Sequence, residues 1–416
     1  MNTSARLVLL AVALLLSTAG IRAQESSAVR PRVVTAPAQD PQTPPAPNVP
    51  KVAPPAEADP NLPALEEDQA KTVAGPITNL TPSVIKSRIS EAQRTFKSRP
   101  KPTALAVPSI EFVTVAALDR DTARTHLITI SKQTFLTKGS DINTLTSEGI
   151  VVNVRVIRAN GVNTALTIFT ADGKSLAPLT VEYPIERGGK YLETAYYTSA
   201  HPALLSSDLV RSGQSYVRNM LDLAARRLRE KGVPISPLLV DVAERLCVVE
   251  HVDHERFRAE NRLALYHEIY SLFALNELDT YRWAVSSAGA GGMVQMIPWA
   301  YNLERTRHPG VGLIPDFVTG MRNHGNALQA MLLYMNDTWN DLSANDEVKY
   351  ALGAKLATPS EILAAGYNSN AAKLPGYLRR GGDNWRTLIP RETQMYLQIY
   401  KSFEALVPLQ SRSRPE

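Results

Sequence analysis

Between residues 105 and 199 short apolar runs alternate with turn signals. IEFVTVAAL, HLITIS, GIVVNVRVI, TALTIFT, LTVEYPI and YLETAYYTS are dense in Val, Ile, Thr and Leu. β-Branched and aromatic side chains suit a pleated, half-buried surface. Ala159-Asn160-Gly161 and Ala171-Asp172-Gly173 punctuate the runs as turns do. Six such strands predict a small all-β module, a sandwich or barrel. From residue 200 to 410 the apolar spacing shifts to threes and fours. LVRSGQSYVRNMLDLAARRLREKG, stopped by Gly232, reads as an amphipathic helix. PDFVTGMRNHGNALQAMLLYMNDTW, TPSEILAAGYNS and ETQMYLQIYKSFEAL predict further helices, so this part is α-rich and long enough for a core. The fold class expected is multidomain α+β.

Within the helical part, Ser236 can cap a helix whose first position is Pro237. Leu239, Val242, Ala243, Leu246 and Val249 then mark one apolar face, and Glu250, four residues after Leu246, extends it. Desolvation raises a carboxyl's pKa, which is what a general acid working near neutral pH needs. The structural alternative is a Glu250 salt-bridged to an arginine. Further on, IYSLFAL and TYRWAVS flank Asn276-Glu277-Leu278-Asp279 and predict a β-hairpin with Glu277 at its solvated tip.

The N-terminus is organised differently. Arg6, the apolar run Leu7–Leu16 and small residues up to Ala23 predict a cleaved signal peptide over residues 1–23. The run is too short to span a membrane, so no integral segment is expected after its removal. Residues 24–78, rich in Pro and Ala, form an extended spacer. Residues 79–104 predict a basic amphipathic helix from Thr81-Pro82, with Val84, Ile85, Ile89 and Phe96 on one side, packed on the next domain. The lone Cys247 cannot form an intramolecular disulfide and suits a small core position. A periplasmic or secreted protein is expected.

Candidate chemistry gathers after the predicted hairpin. Ser286, Gly289, Ala290, Gly291, Gly292, Gln295 and Pro298 form S-x-x-G-A-G-G-x-x-Q-x-x-P. Small residues let a bulky ligand approach the backbone, and Gln295 offers donors and acceptors to an acetamido group or a hydroxyl. Neither G-x-G-x-x-G after a strand nor G-K-[ST] occurs, which argues against a nucleotide-phosphate loop. The run SSAGAGGMVQMIP resembles the glycine-rich motif of the soluble lytic transglycosylases, lysozyme-like enzymes that cleave peptidoglycan glycan strands. AAGYNSN, Ala364–Asn370, resembles their Ala-x-Tyr-Asn-x-Gly motif with Asn370 in place of the last glycine. ETQMYLQIY, Glu392–Tyr400, is similar to their closing Glu-Thr-x-x-Tyr helix. The likeness covers the C-terminal half alone.

It implies a lysozyme-like domain, interrupted here by the hairpin. It also implies cleavage of the MurNAc–GlcNAc bond by a single glutamic acid, leaving a 1,6-anhydroMurNAc end. Ser286, Gly291, Met293, Gln295, Tyr367 and Asn368 are the substrate-binding positions it implies. The acid itself is contested. Family spacing, nine residues before Ser286, points to Glu277, but Leu278 stands where a serine is usual. Glu250 sits where the catalytic helix should end, with His251 in the serine's place, and is the first choice. Helical structure over Ile269–Leu275 would pass the role to Glu277.

Other readings stay open. Asp279 could hold a water on the far face of the sugar, giving an inverting lysozyme-type muramidase. A catalytically inactive glycan-binding envelope protein is another. Glu250, His251, Asp253 and His254 lie close in sequence, but without H-E-x-x-H they make a weak zinc set, and no metal or cofactor is expected. A net charge of +5 suits an acidic wall polymer. Dispersed basic residues and few aromatics argue against nucleic acid. The β module is expected to position the enzyme or to bind an envelope protein.

Overall fold

The computed structural model describes residues 77–99, 109–278 and 289–412. The signal-peptide segment, nearly all of the spacer, Asp279, TYRWAVS and Ser286 lie outside them. Helix α1, Pro82–Ser98, starts where Thr81 Oγ1 accepts the N–H of Val84 at 3.4 Å, and it buries Ile85, Ile89, Ala92 and Phe96. Seven antiparallel strands follow: β1 Phe112–Leu118, β2 Thr125–Ser131, β3 Asp141–Leu145, β4 Val151–Arg158, β5 Ala165–Thr170, β6 Ser175–Arg187 and β7 Lys190–Tyr197. A one-turn helix, α2 Lys132–Phe135, separates β2 from β3.

The strands run in the order β2-β1-β6-β5-β4-β3, and β7 also pairs with β6. β6 is long enough to serve both halves of the sheet. A bridge from Ile128 to Thr146 and the bond from Ser147 N to Leu127 O, 2.8 Å, bring the two ends together. The result is a nearly closed, barrel-like sheet. Alternate burial along β4, with Val152, Val154 and Val156 inward, is the period-2 signature of a strand with one wet face.

The helical part comprises α3 Ser207–Glu230, α4 Pro237–Val249, α5 His254–Ala259, α6 Arg262–Leu275, α7 Pro298–Arg307, α8 Phe317–Arg322, α9 His324–Ala344, α10 Asp346–Gly353, α11 Pro359–Asn368, α12 Leu374–Gly381, α13 Trp385–Leu388 and α14 Arg391–Leu406. As the sequence predicts, Ser236 Oγ caps α4, accepting from Leu239 N at 3.4 Å. α4 packs against α3, α6, α9, α11 and α14, which explains why Leu239 through Val249 is buried on nearly every side.

The expected hairpin is corrected. Ile269–Leu275 belongs to helix α6, and its second arm lies outside the described residues. The predicted run from Pro315 to Trp339 is also two helices. Asn323 ends α8 and caps α9, its Oδ1 accepting from Asn326 N at 3.0 Å.

Sheet and helices are joined by apolar and polar contacts. α1 packs on β6, α3 and α6, where Ile85, Ile89 and Phe96 share a cluster with Leu118, Leu179, Leu209, Ala274 and Leu275. Asn276, just past α6, accepts from Thr198 N at 2.9 Å and donates to Thr198 O at 2.8 Å. Arg158 of β4 and Arg256 of α5 both reach Glu268 of α6. No helix among the described residues is long and apolar enough to cross a membrane.

Candidate active site

Helix α4 ends at Glu250, which caps it and donates its N–H to Leu246 O at 3.0 Å. The carboxylate is half-buried, and Oε1 accepts the hydroxyl of the buried Tyr396, 2.7 Å away on α14. Next to it, His251 Nε2 lies 3.0 Å from the carbonyl of Met293. A carbonyl only accepts, so Nε2 carries the proton. The His251 ring meets Phe273 of α6 edge-on at 5.6 Å.

The glycine-rich turn is folded around these contacts. Gly292 has φ +72°, and a Cβ there would lie 2.9 Å from Met321 O, so glycine is needed on both counts. Gly291 N reaches Met296 O at 3.3 Å, closing the turn before Pro298 opens α7. Gln295 is itself left-handed, at φ +48°, and Nε2 donates to Gly292 O at 2.9 Å. Gln295, expected to serve a sugar, is 4% exposed, with one amide N–H donated to the turn. The Met293 side chain is fully buried, and its backbone carbonyl is what meets the site. Tyr367 Oη donates to Val294 O at 2.6 Å, and its ring packs edge-on against Tyr334. Asn368, the last residue of α11, is buried beside it.

Glu277 lies two residues beyond α6, and its carboxylate pairs with Lys86 of α1. Lys86 Nζ also donates to Ser212 Oγ at 3.2 Å. Leu278 follows with φ +70°, its N–H bonded to Tyr216 Oη at 2.7 Å. The Tyr216 hydroxyl lies 2.6 Å from His324 Nδ1. Burial, and then His251, push the His324 pKa down to about 3. The ring is therefore neutral, and its Nδ1 shares a hydrogen bond with the Tyr216 hydroxyl.

Two criteria for the acid now diverge. Ile269–Leu275 is helical, so the condition that passes the role from Glu250 to Glu277 is met. Contacts favour Glu250: Tyr396 from the closing helix bonds it directly, and the adjacent His251 bonds the glycine-rich turn that Tyr367 also holds. The Glu277 carboxylate is paired with Lys86.

Tyr396 and His251 were legible as motif positions, but their partners were not. The proposed grouping of Glu250, His251, Asp253 and His254 does not converge on a metal. Asp253 caps α5, accepting from Arg256 N at 2.8 Å, while His251 turns to Met293. Among the described residues, the His, Cys, Asp and Glu side chains whose donor atoms do converge are Glu304, His308 and Asp337. Searches of protein-family models, curated proteins and solved structures found no match to the chain.

Proposed function

We propose that this protein is a peptidoglycan lytic transglycosylase whose general acid and base is Glu250. The carboxylic acid protonates the glycosidic oxygen between MurNAc and GlcNAc as that bond breaks. The 6-hydroxyl oxygen of the same MurNAc bonds to its anomeric carbon, and its proton passes to the Glu250 carboxylate. The products are a free GlcNAc hydroxyl and a 1,6-anhydroMurNAc end, with no water consumed. Such positioned proton transfer contributes roughly 10²–10⁴ in rate. One observation supports the reading: Tyr396 of the closing segment bonds Glu250, the adjacent His251 bonds Met293 of the glycine-rich turn, and Tyr367 holds the same turn at Val294. The family resemblance assigns Gly291, Asn368 and, outside the described residues, Ser286 to substrate binding, and the apolar run Leu7–Leu16 supports action outside the cytoplasm.

Mass spectrometry of fragments released from purified sacculi tests this. Wild-type protein should release anhydro-muropeptides, and Glu250→Gln should reduce release at least about 100-fold while melting within a few degrees of wild type. Glu277→Gln should stay active. The reverse pattern moves the acid to Glu277, which family spacing favours. Reducing ends in place of anhydro ends make the protein a muramidase, and glycan binding without any product makes it a binding protein.

A further inference from the structure

Helix α7, which leaves the glycine-rich turn, carries Glu304 into the interior, and His308 follows four residues later. Asp337 approaches from the middle of α9. Glu304 is fully buried and neither carboxylate oxygen has a hydrogen-bond partner. Its Oε2 lies 3.6 Å from His308 Nε2, and that nitrogen lies 3.1 and 3.0 Å from the two Asp337 oxygens. One donor atom from each side chain falls within 4.8 Å of the other two. Arg307 reaches Asp337 Oδ2 at 3.5 Å but does not serve Glu304.

A buried carboxylate without donors is costly unless it is protonated or an opposite charge compensates it. The single Nε2 proton of His308 is already directed at Asp337, so a histidine bridge leaves Glu304 unserved. A bound ion removes the difficulty. Ligand atoms about 2.0–2.2 Å from a tetrahedral metal lie about 3.4 Å from each other. The two separations made by His308 Nε2, 3.6 and 3.0 Å, are close to that edge length, and the Glu304 and Asp337 oxygens lie within 4.8 Å of each other.

We infer that Glu304, His308 and Asp337 form a binding site for a divalent first-row transition cation, with Zn²⁺ as the best match and water completing the coordination. An imidazole among the ligands favours such ions over Ca²⁺ or Mg²⁺, which prefer oxygen alone. The ion ties α7 to α9 and so fixes the helix that the glycine-rich turn leads into. Its role is structural.

Titration of metal-stripped, full-length protein with ZnCl₂ in a calorimeter provides the test, with CaCl₂ as a control. Wild type should bind one equivalent of Zn²⁺, melt at higher temperature, and show far weaker binding of Ca²⁺. Glu304→Gln keeps the side-chain volume and should fold without metal, yet lose Zn²⁺ affinity about 100-fold or more. His308→Gln should behave alike and guards against an effect peculiar to Glu304. Wild-type protein that takes up no Zn²⁺, or full affinity retained in both variants, overturns the assignment. No glycan enters the measurement, so its outcome is independent of the proposed activity.

Discussion

Buried titratable residues make stability depend on pH in a way that can be signed residue by residue. Burial, and then Arg158, hold the His201 pKa down to about 3, and His324 is held equally low. Both lie below the ordinary 6.5, so the unfolded chain binds protons that the native protein refuses. Their stabilisation is complete above pH 6.5 and is lost as pH falls toward 3. At Glu361 desolvation acts upward, but the bonds from Arg386 and Lys401 prevail and the pKa falls to about 2. Its contribution is present above pH 4.5 and lost below. Glu304 opposes the trend: burial, then Asp337, raise it to about 8, so its contribution is full below pH 4.5 and lost as pH rises to 8. In metal-free buffer stability should therefore peak near pH 6.5, decline gently to 4.5 and steeply below it, by up to about 4 kcal/mol per pH unit. Urea unfolding across this range measures the slope, and a flat profile down to pH 4 would contradict it.

At the scale of elements, the contact between α3 and α6 is the most exacting. A Cβ added at Gly213 would lie 1.9 Å from the carbonyl oxygen of Tyr270 and 2.6 Å from its carbon. Both are backbone atoms, so relief requires moving a helix. Gly213→Ala should cost about 3 kcal/mol in unfolding free energy, whereas Gly353→Ala, with open space around it, should change it by less than about 1 kcal/mol. Equal effects from the two would show that the helices are not so closely docked. The same all-round burial explains why α6 was misread. Ile269–Leu275 is buried on every face, so its apolar residues show no period that separates helix from strand. β3 was missed for the opposite reason: Asp-Ile-Asn-Thr-Leu has a largely wet surface and no apolar alternation strong enough to register. α4 was legible because Ser236, Pro237 and a regular stripe agreed. At the candidate site, the sequence supplied the glycine-rich turn, Tyr367 and Glu250 as candidate positions. It could not disclose that Gln295 turns inward, or that Asp337 meets Glu304 from another helix, since both depend on tertiary contacts.

At the scale of the whole molecule, the sequence divides into a β module and a helical part, but the contacts do not leave the two independent. One apolar cluster includes Val154 and Leu166 of the sheet together with Leu246, Phe273 and Leu328 of the helices. A second places Ile85 and Phe96 of α1 between Leu179 of β6 and Leu275 of α6. Polar contacts repeat the pattern, since Asn276 is fixed by Thr198, and Glu277 by Lys86. Removing the sheet and α1 would thus expose Leu275 and Leu209 to water and release the chain just past α6. Full burial of one leucine is worth about 1.5–3 kcal/mol, a large share of a typical domain's net stability. Sheet and helices should therefore unfold together. Scanning calorimetry should give a single transition whose calorimetric and van't Hoff enthalpies agree. A fragment beginning at residue 200 should in turn be unstable and inactive even though it retains Glu250, Met293, Tyr367 and Tyr396. Two resolved transitions, or a stable and active fragment, would mean that the sheet is an accessory to the site and not part of what holds it.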